Sequence, residues 1–148
     1  MQQFQIAPAP DFPGWFHVTT DTPGRFFDQF GRILVTVESP TRARMRVFPE
    51  ERHLNIIETV HGGFLLALAD QALFIGSAAL EIEQALGGGT IDLSTQFIAP
   101  VQAGAPVDAV VDVLRVTGRM IFLRGLIEQA GTIGASFVGT IKKGPRPK

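Results

Sequence analysis

No proline occurs between Pro49 and Pro100, and inside that window runs the apolar segment His61–Leu86, closed by Gly87-Gly88-Gly89. A triple glycine after a long apolar run is a helix stop. The segment predicts one long helix carrying Phe64, Leu65, Leu66, Leu68, Leu73, Phe74, Ile75 and Leu80 around most of its circumference. A helix that is apolar on nearly every side must be buried on nearly every side. Gly62–Leu80 has about the length of a membrane span. Asp70 and Gln71 sit at its centre, where an aspartate costs about 2.5–3.5 kcal/mol to insert. The helix is therefore expected inside protein rather than across a membrane. One sheet covers one face of it; a second subunit is the simplest cover for the rest, so a homodimer is expected.

The flanking segments change period. Phe26–Val37 and Arg42–Phe48 read as strands before the helix. After the glycines, Ile91, Leu93, Thr95 and Phe97 share one face of a strand, with Asp92, Ser94 and Gln96 on the other. Val107–Val116, Met120–Glu128 and Thr132–Ile141 follow, separated by Thr117-Gly118 and Ala130-Gly131. The expected class is α+β, with a long central helix and a curved, mostly antiparallel sheet of about six strands. With 148 residues there is room for one domain, set at 26–143. Residues 1–25, rich in Pro and Gly, read as an extended arm with at most a short helical turn. Residues 144–148 read as a basic, solvated tail.

Composition removes several function classes. Hydrophobic residues at 45% against 18% charged exclude a disordered chain. A net charge of −1 gives no basic field for nucleic acid. With no cysteine there is no disulfide framework, thiolate nucleophile or Cys-based metal site, which suits a cytoplasmic location. The first residues, MQQFQIAPAPDFPGW, lack the positive start and apolar run of a secretory signal.

Familiar catalytic patterns are missing: no G-x-S-x-G, no H-E-x-x-H, no phosphate-binding glycine loop. His17, His53 and His61 form no recognised ligand spacing, so the expected chemistry uses no metal. One segment concentrates the signal, HGGFLLALAD at residues 61–70. Glycines at a helix start cost stability but leave first-turn N–H groups open, aided by the helix dipole, to a developing oxyanion. Gly62 and Gly63 serve equally well for close packing against a strand. Asp70 is a lone carboxylate on an apolar helix, with no Lys or Arg three or four residues away. It reads as a reacting group, or as one that bonds a loop or lies on an exposed stripe beside Gln71. Nine residues separate it from His61, roughly 13–14 Å along a helix. Reacting groups must approach to about 3–3.5 Å. If both ends act on one substrate, they come from different subunits.

These residues carry a resemblance. Asn55 ahead of His61-Gly62-Gly63, then Leu68-Ala69-Asp70, TIDLSTQFIAP (Thr90–Pro100) and VLRVTGRMIFLRGLIE (Val113–Glu128) resemble the hotdog-fold acyl-CoA thioesterases of the PaaI-like and 4-hydroxybenzoyl-CoA thioesterase superfamily. The resemblance spans about Phe26 to Lys143. It implies a hotdog fold, a homodimer or homotetramer, and hydrolysis of acyl-CoA without a cofactor, coenzyme A entering as part of the substrate. By that resemblance Asp70 is the nucleophile or general base, and the Gly62 N–H polarises the thioester carbonyl. Asn55 and His61 position that carbonyl and its loop, Thr90 orients water, and Gly63, Gly118 and Arg119 contact the substrate or its nucleotide part. Glu58 stands where many relatives have glycine, which predicts an altered loop. The rivals are a non-catalytic acyl-CoA-binding protein and a hydratase or dehydratase on the same fold.

Overall fold

The computed structural model describes residues 4–146. The chain runs β1 (Phe4–Pro8), β2 (Phe16–Thr20), β3 (Leu34–Ser39), β4 (Arg42–Val47), α1 (Gly62–Ala79), β5 (Gly89–Phe97), β6 (Val107–Val116), β7 (Met120–Gln129) and β8 (Thr132–Lys142). All eight strands form one sheet in the order β1-β2-β3-β4-β6-β7-β8-β5, every neighbouring pair antiparallel. The α+β class with one long helix holds, but the sheet has eight strands rather than about six.

The helix lies on the sheet through Phe64, Leu65, Leu68, Ala69, Ala72, Leu73, Ile75 and Gly76. The inward residues of β7, Ile121, Leu123 and Ile127, meet them from the sheet with Phe137 and Ile141 of β8. The contact is very close at Gly76, where an added Cβ would stand 2.3 Å from Val111 Cγ2. On the outer face Arg44 reaches Glu38, Asp108 and Glu128, and Arg46 also pairs with Asp108, tying β3, β4, β6 and β7 together.

Three expectations change. The segment read as an extended arm supplies β1 and β2, paired from Phe4↔Thr20 to Pro8↔Phe16. Its prolines are confined to the connection and to the end of an edge strand, where a missing N–H costs no ladder bond. Phe26–Phe30 is a 3₁₀ turn, not the start of a strand. Gly31 at φ 65 interrupts the chain there, and the aromatic rings pack as a cluster, Phe4 on Phe27 at 4.9 Å and Phe30 on Phe64 at 5.5 Å. The helix stops at Ala79 rather than Leu86, because Glu81 and Gln84 take positive φ values of 58 and 64. Ala85 is nonetheless buried, so the segment after the helix folds back as a turn and its apolar residues still serve the core.

Candidate active site

His61 caps the helix. Its Nδ1 accepts from the Gly63 N–H at 2.8 Å, while its carbonyl accepts from Phe64 and Leu65. The accepting Nδ1 assigns the proton of the neutral ring to Nε2. Gly63 has no alternative in this arrangement: an added Cβ would lie 2.9 Å from Nδ1. The Gly62 N–H has no partner among the described residues. It is an open donor at the positive end of an 18-residue helix.

Asn55 lies just upstream, in a loop closed by the Leu54↔Val60 bridge. Its Oδ1 accepts from the backbone N–H groups of Ile57 and Thr59 at 3.0 and 3.1 Å, and its Nδ2 donates to Thr59 Oγ1 at 2.9 Å. Asn55 therefore shapes the loop leading to His61. Glu58 takes φ 62, the region glycine favours. At this position, where the sequence predicts an altered loop, the backbone is in the left-handed region with a side chain strained into it.

Asp70 is half-buried in the third turn of α1, and Thr90 Oγ1 at the start of β5 donates to its Oδ1 at 2.5 Å. Such hydroxyl-to-carboxylate bonds are short and strong. They leave the second carboxylate oxygen free to receive a proton or to attack. Asp70 falls on the less buried stripe of the helix with Leu66, Gln71 and Phe74. That stripe, which the all-round apolar pattern had assigned to burial, is uncovered in one protomer.

Gly118 and Arg119 form the β6–β7 turn. With Lys142 and Lys143 and the Gly87–Gly89 loop they line a depression of about 530 Å³. The Lys143 N–H donates to Arg119 O at 2.8 Å, and Gly144 exchanges bonds with Gln84. Of the tail expected to be solvated, Gly144 is pinned here while Pro145 and Arg146 are exposed; residues 147–148 lie outside the described residues. Lys142 and Lys143, which the sequence reading left to a solvated end, line this depression because the hairpin register through Ala130-Gly131 places Lys142 beside Met120. Read along the chain, the glycine triplet was only a helix stop; in the fold it is also a wall of this depression.

One protomer thus holds three separate groups: the His61–Gly63 helix start with the Asn55 loop, the Asp70–Thr90 pair, and the basic depression. Gly62 and Asp70 are eight residues apart on one helix, about 12 Å along its axis. No group of three His, Asp or Glu side chains among the described residues is placed to hold a metal ion.

Comparison with known proteins follows this geometry. A family model described as the thioesterase superfamily matches residues 58–136, just over half of the chain. Over 95 residues the chain is 27% identical to acyl-coenzyme A thioesterase 13 of Homo sapiens and of Pongo abelii. The alignment covers 64% of this chain and 66% of those relatives, just under two thirds of their length. A point mutant of the phenylacetic acid degradation protein PaaI from Thermus thermophilus superposes with a TM-score of 0.66 at 27% identity, covering 80% of this chain and 97% of that one. A thioesterase from Streptococcus pneumoniae, solved with coenzyme A, shares the fold at 16% identity with a TM-score of 0.68, covering 80% and 94%.

Proposed function

Because the chain belongs to the thioesterase superfamily, we propose that it hydrolyses acyl-CoA thioesters to a free acid and coenzyme A, at sites shared between two subunits. The observation that carries this reading is the pairing of an open Gly62 N–H at one end of the helix stripe with a hydroxyl-held Asp70 carboxylate at the other.

The sheet supplies the means of joining them. β5 is an edge strand, unpaired on one side, with Ile91 and Phe97 more than half exposed. Nine residues of exposed, partly apolar edge invite another strand. Gly62 lies against Phe97 at one end of β5, and Asp70 is bonded to Thr90 near the other. If two copies of β5 pair antiparallel about a two-fold axis, Phe97 of one faces the Thr90 end of the other. Asp70 of each subunit then approaches Gly62 of its mate, giving two sites per dimer. The uncovered helix stripes meet over the same interface. A homotetramer would be built from two such dimers.

In this reading the thioester carbonyl accepts from the Gly62 N–H, whose positive helix end stabilises the oxyanion as it forms. His61 holds the first turn, and Asn55 holds the loop leading into it. Asp70 either attacks the carbonyl carbon, forming a mixed anhydride that water then hydrolyses to the free acid, or takes a proton from the attacking water, with Thr90 fixing its orientation. The thiolate of coenzyme A leaves and is protonated. Arg119, Lys142 and Lys143 supply positive charge for the phosphates of coenzyme A, which the pneumococcal fold neighbour binds. No cofactor enters the reaction. The absence of cysteine suits work in the cytoplasm.

The test is free-thiol release from short, long and aromatic acyl-CoAs by the wild type and Asp70→Asn. Turnover that falls at least about a hundredfold in the variant, roughly 2.7 kcal/mol of barrier, is expected. Thermal stabilisation by acyl-CoA without any release would favour a binding protein, and loss or gain of a double bond would favour a hydratase.

A further inference from the structure

We propose that Phe97 sets the size of the acyl group this enzyme accepts, by forming the outer wall of an apolar pocket at the Gly62 N–H. The inference rests on the thioesterase reading and goes beyond it to the acyl selectivity of the site.

Gly62 shares a pocket of about 280 Å³ with Val60, Leu65, Phe97, Val101 and Thr59. Val60, Leu65 and Val101 are almost fully buried and form its inner wall. That wall is rigid, since the Val60 N–H donates to Val101 O at 2.7 Å. The strand end carrying Phe97 is anchored as well: the N–H groups of Ile98 and Ala99 donate to Gly134 O at 2.8 and 3.2 Å. The Phe97 ring closes the outer side. A Cβ built on Gly62 would stand 3.5 Å from ring atoms Cε1 and Cζ, so the ring packs over the Gly62 backbone. Phe97 is 54% exposed and stacks on no other ring among the described residues. It lies on the β5 edge that pairs with the mate in the proposed dimer, so its ring is left facing the shared site rather than the core of its own subunit.

Direction follows from polarity. A thioester whose oxygen sits at the Gly62 N–H extends its acyl group one way and its coenzyme A arm the other. Across an antiparallel β5 pair the mate's basic depression comes to the Phe97 end and serves the phosphates of the coenzyme A arm. The pocket beside Phe97 is lined by apolar side chains, which suits the acyl group and not the polar arm. No charged residue lines that pocket, and its one side-chain hydroxyl, on Thr59, already accepts from Asn55. It therefore suits an uncharged acyl group.

The experiment compares kcat/KM for butyryl-, hexanoyl-, decanoyl- and palmitoyl-CoA in wild type, Phe97→Ala and Phe97→Trp. A ratio of decanoyl to butyryl activity is independent of the fraction of enzyme folded, and the Trp variant covers the case in which Ala weakens folding. The ratio is expected to rise about tenfold in Phe97→Ala and to fall in Phe97→Trp, on the scale that one or two methylenes carry in an apolar pocket. Ratios within about twofold of wild type in both variants would overturn the proposal and leave the thioesterase reading intact. No thiol release by the wild type from any of the four substrates, nor from the aromatic acyl-CoAs of the wider panel, would overturn both.

Discussion

The Thr90 hydroxyl donates to Asp70 Oδ1 at 2.5 Å, across the gap between the edge strand β5 and the middle of α1. This bond orients the one carboxylate on that helix, so its loss should affect rate more than fold. Thr90→Val is expected to lower kcat about tenfold, the worth of one hydrogen bond to a charged group. Thr90→Ser should restore most of the rate. Steady-state thiol release reads both.

Gly62→Pro removes the open N–H while preserving the helix. Proline is well accepted at the first helical position, and His61 already has the extended backbone, φ −59 and ψ 133, that a following proline demands. Thiol release should fall about 10²–10³-fold, the cost of losing one oxyanion donor, with the melting temperature little changed. Retained activity would remove Gly62 from the mechanism.

Co-expression of Gly62→Pro with Asp70→Asn tests the shared site. Each homodimer lacks a component at both sites, but a mixed dimer has one site with Gly62 and Asp70 both intact. About a quarter of wild-type activity should return under random pairing of a symmetric dimer. No recovery, or a monomer at micromolar concentration, would sink the cross-subunit arrangement.

Glu58 at φ 62 holds a side chain where the left-handed backbone costs about 1–2 kcal/mol. Glycine removes that strain and adds back about 0.5–1 kcal/mol of unfolded-state entropy. Glu58→Gly should therefore stabilise the protein modestly, with a melting temperature about 1–4 °C higher. Calorimetry reads the shift directly.

Arg42 donates to both oxygens of Asp112, at 2.8 and 3.1 Å. This holds the Asp112 carboxyl below its ordinary value of 3.8, against the opposing effect of burial. A folded value below the unfolded one means stability that is complete above the unfolded value and lost as pH falls through the folded one. Urea midpoints for Asp112→Asn should therefore approach those of the wild type as pH drops below about 4, having been lower near neutrality. A constant gap across that range would show that the pair contributes nothing through its charge.

Much of this molecule was legible along the chain. The proline-free window announced the helix, and the turn Ala130-Gly131, with φ 48 and 79, joined β7 to β8 where the period-two pattern broke. His61-Gly62-Gly63 and Asp70 stood out because glycines at a helix start and a lone acid on an apolar helix both go against local preference. The Phe26–Phe30 turn misled, since an aromatic run satisfies a strand and a ring cluster equally well. Asn55 took its role from the resemblance alone, because its three hydrogen bonds all run within a loop whose closure depends on the Leu54↔Val60 bridge.

Sequence alone determined what depends on local order: the existence of the helix though not its end, most of the strands, the separation of Gly62 and Asp70 along one helix, and the absence of cysteine chemistry. Only the tertiary structure decided what depends on contacts between distant segments. It brought Thr90 to Asp70, set Phe97 against Gly62, folded Lys142 and Lys143 beside Arg119, and left β5 at the edge of the sheet. A helix repeats every 3.6 residues and a strand every two, so periodicity reports which side of an element is apolar. It carries no information about which other element that side will meet.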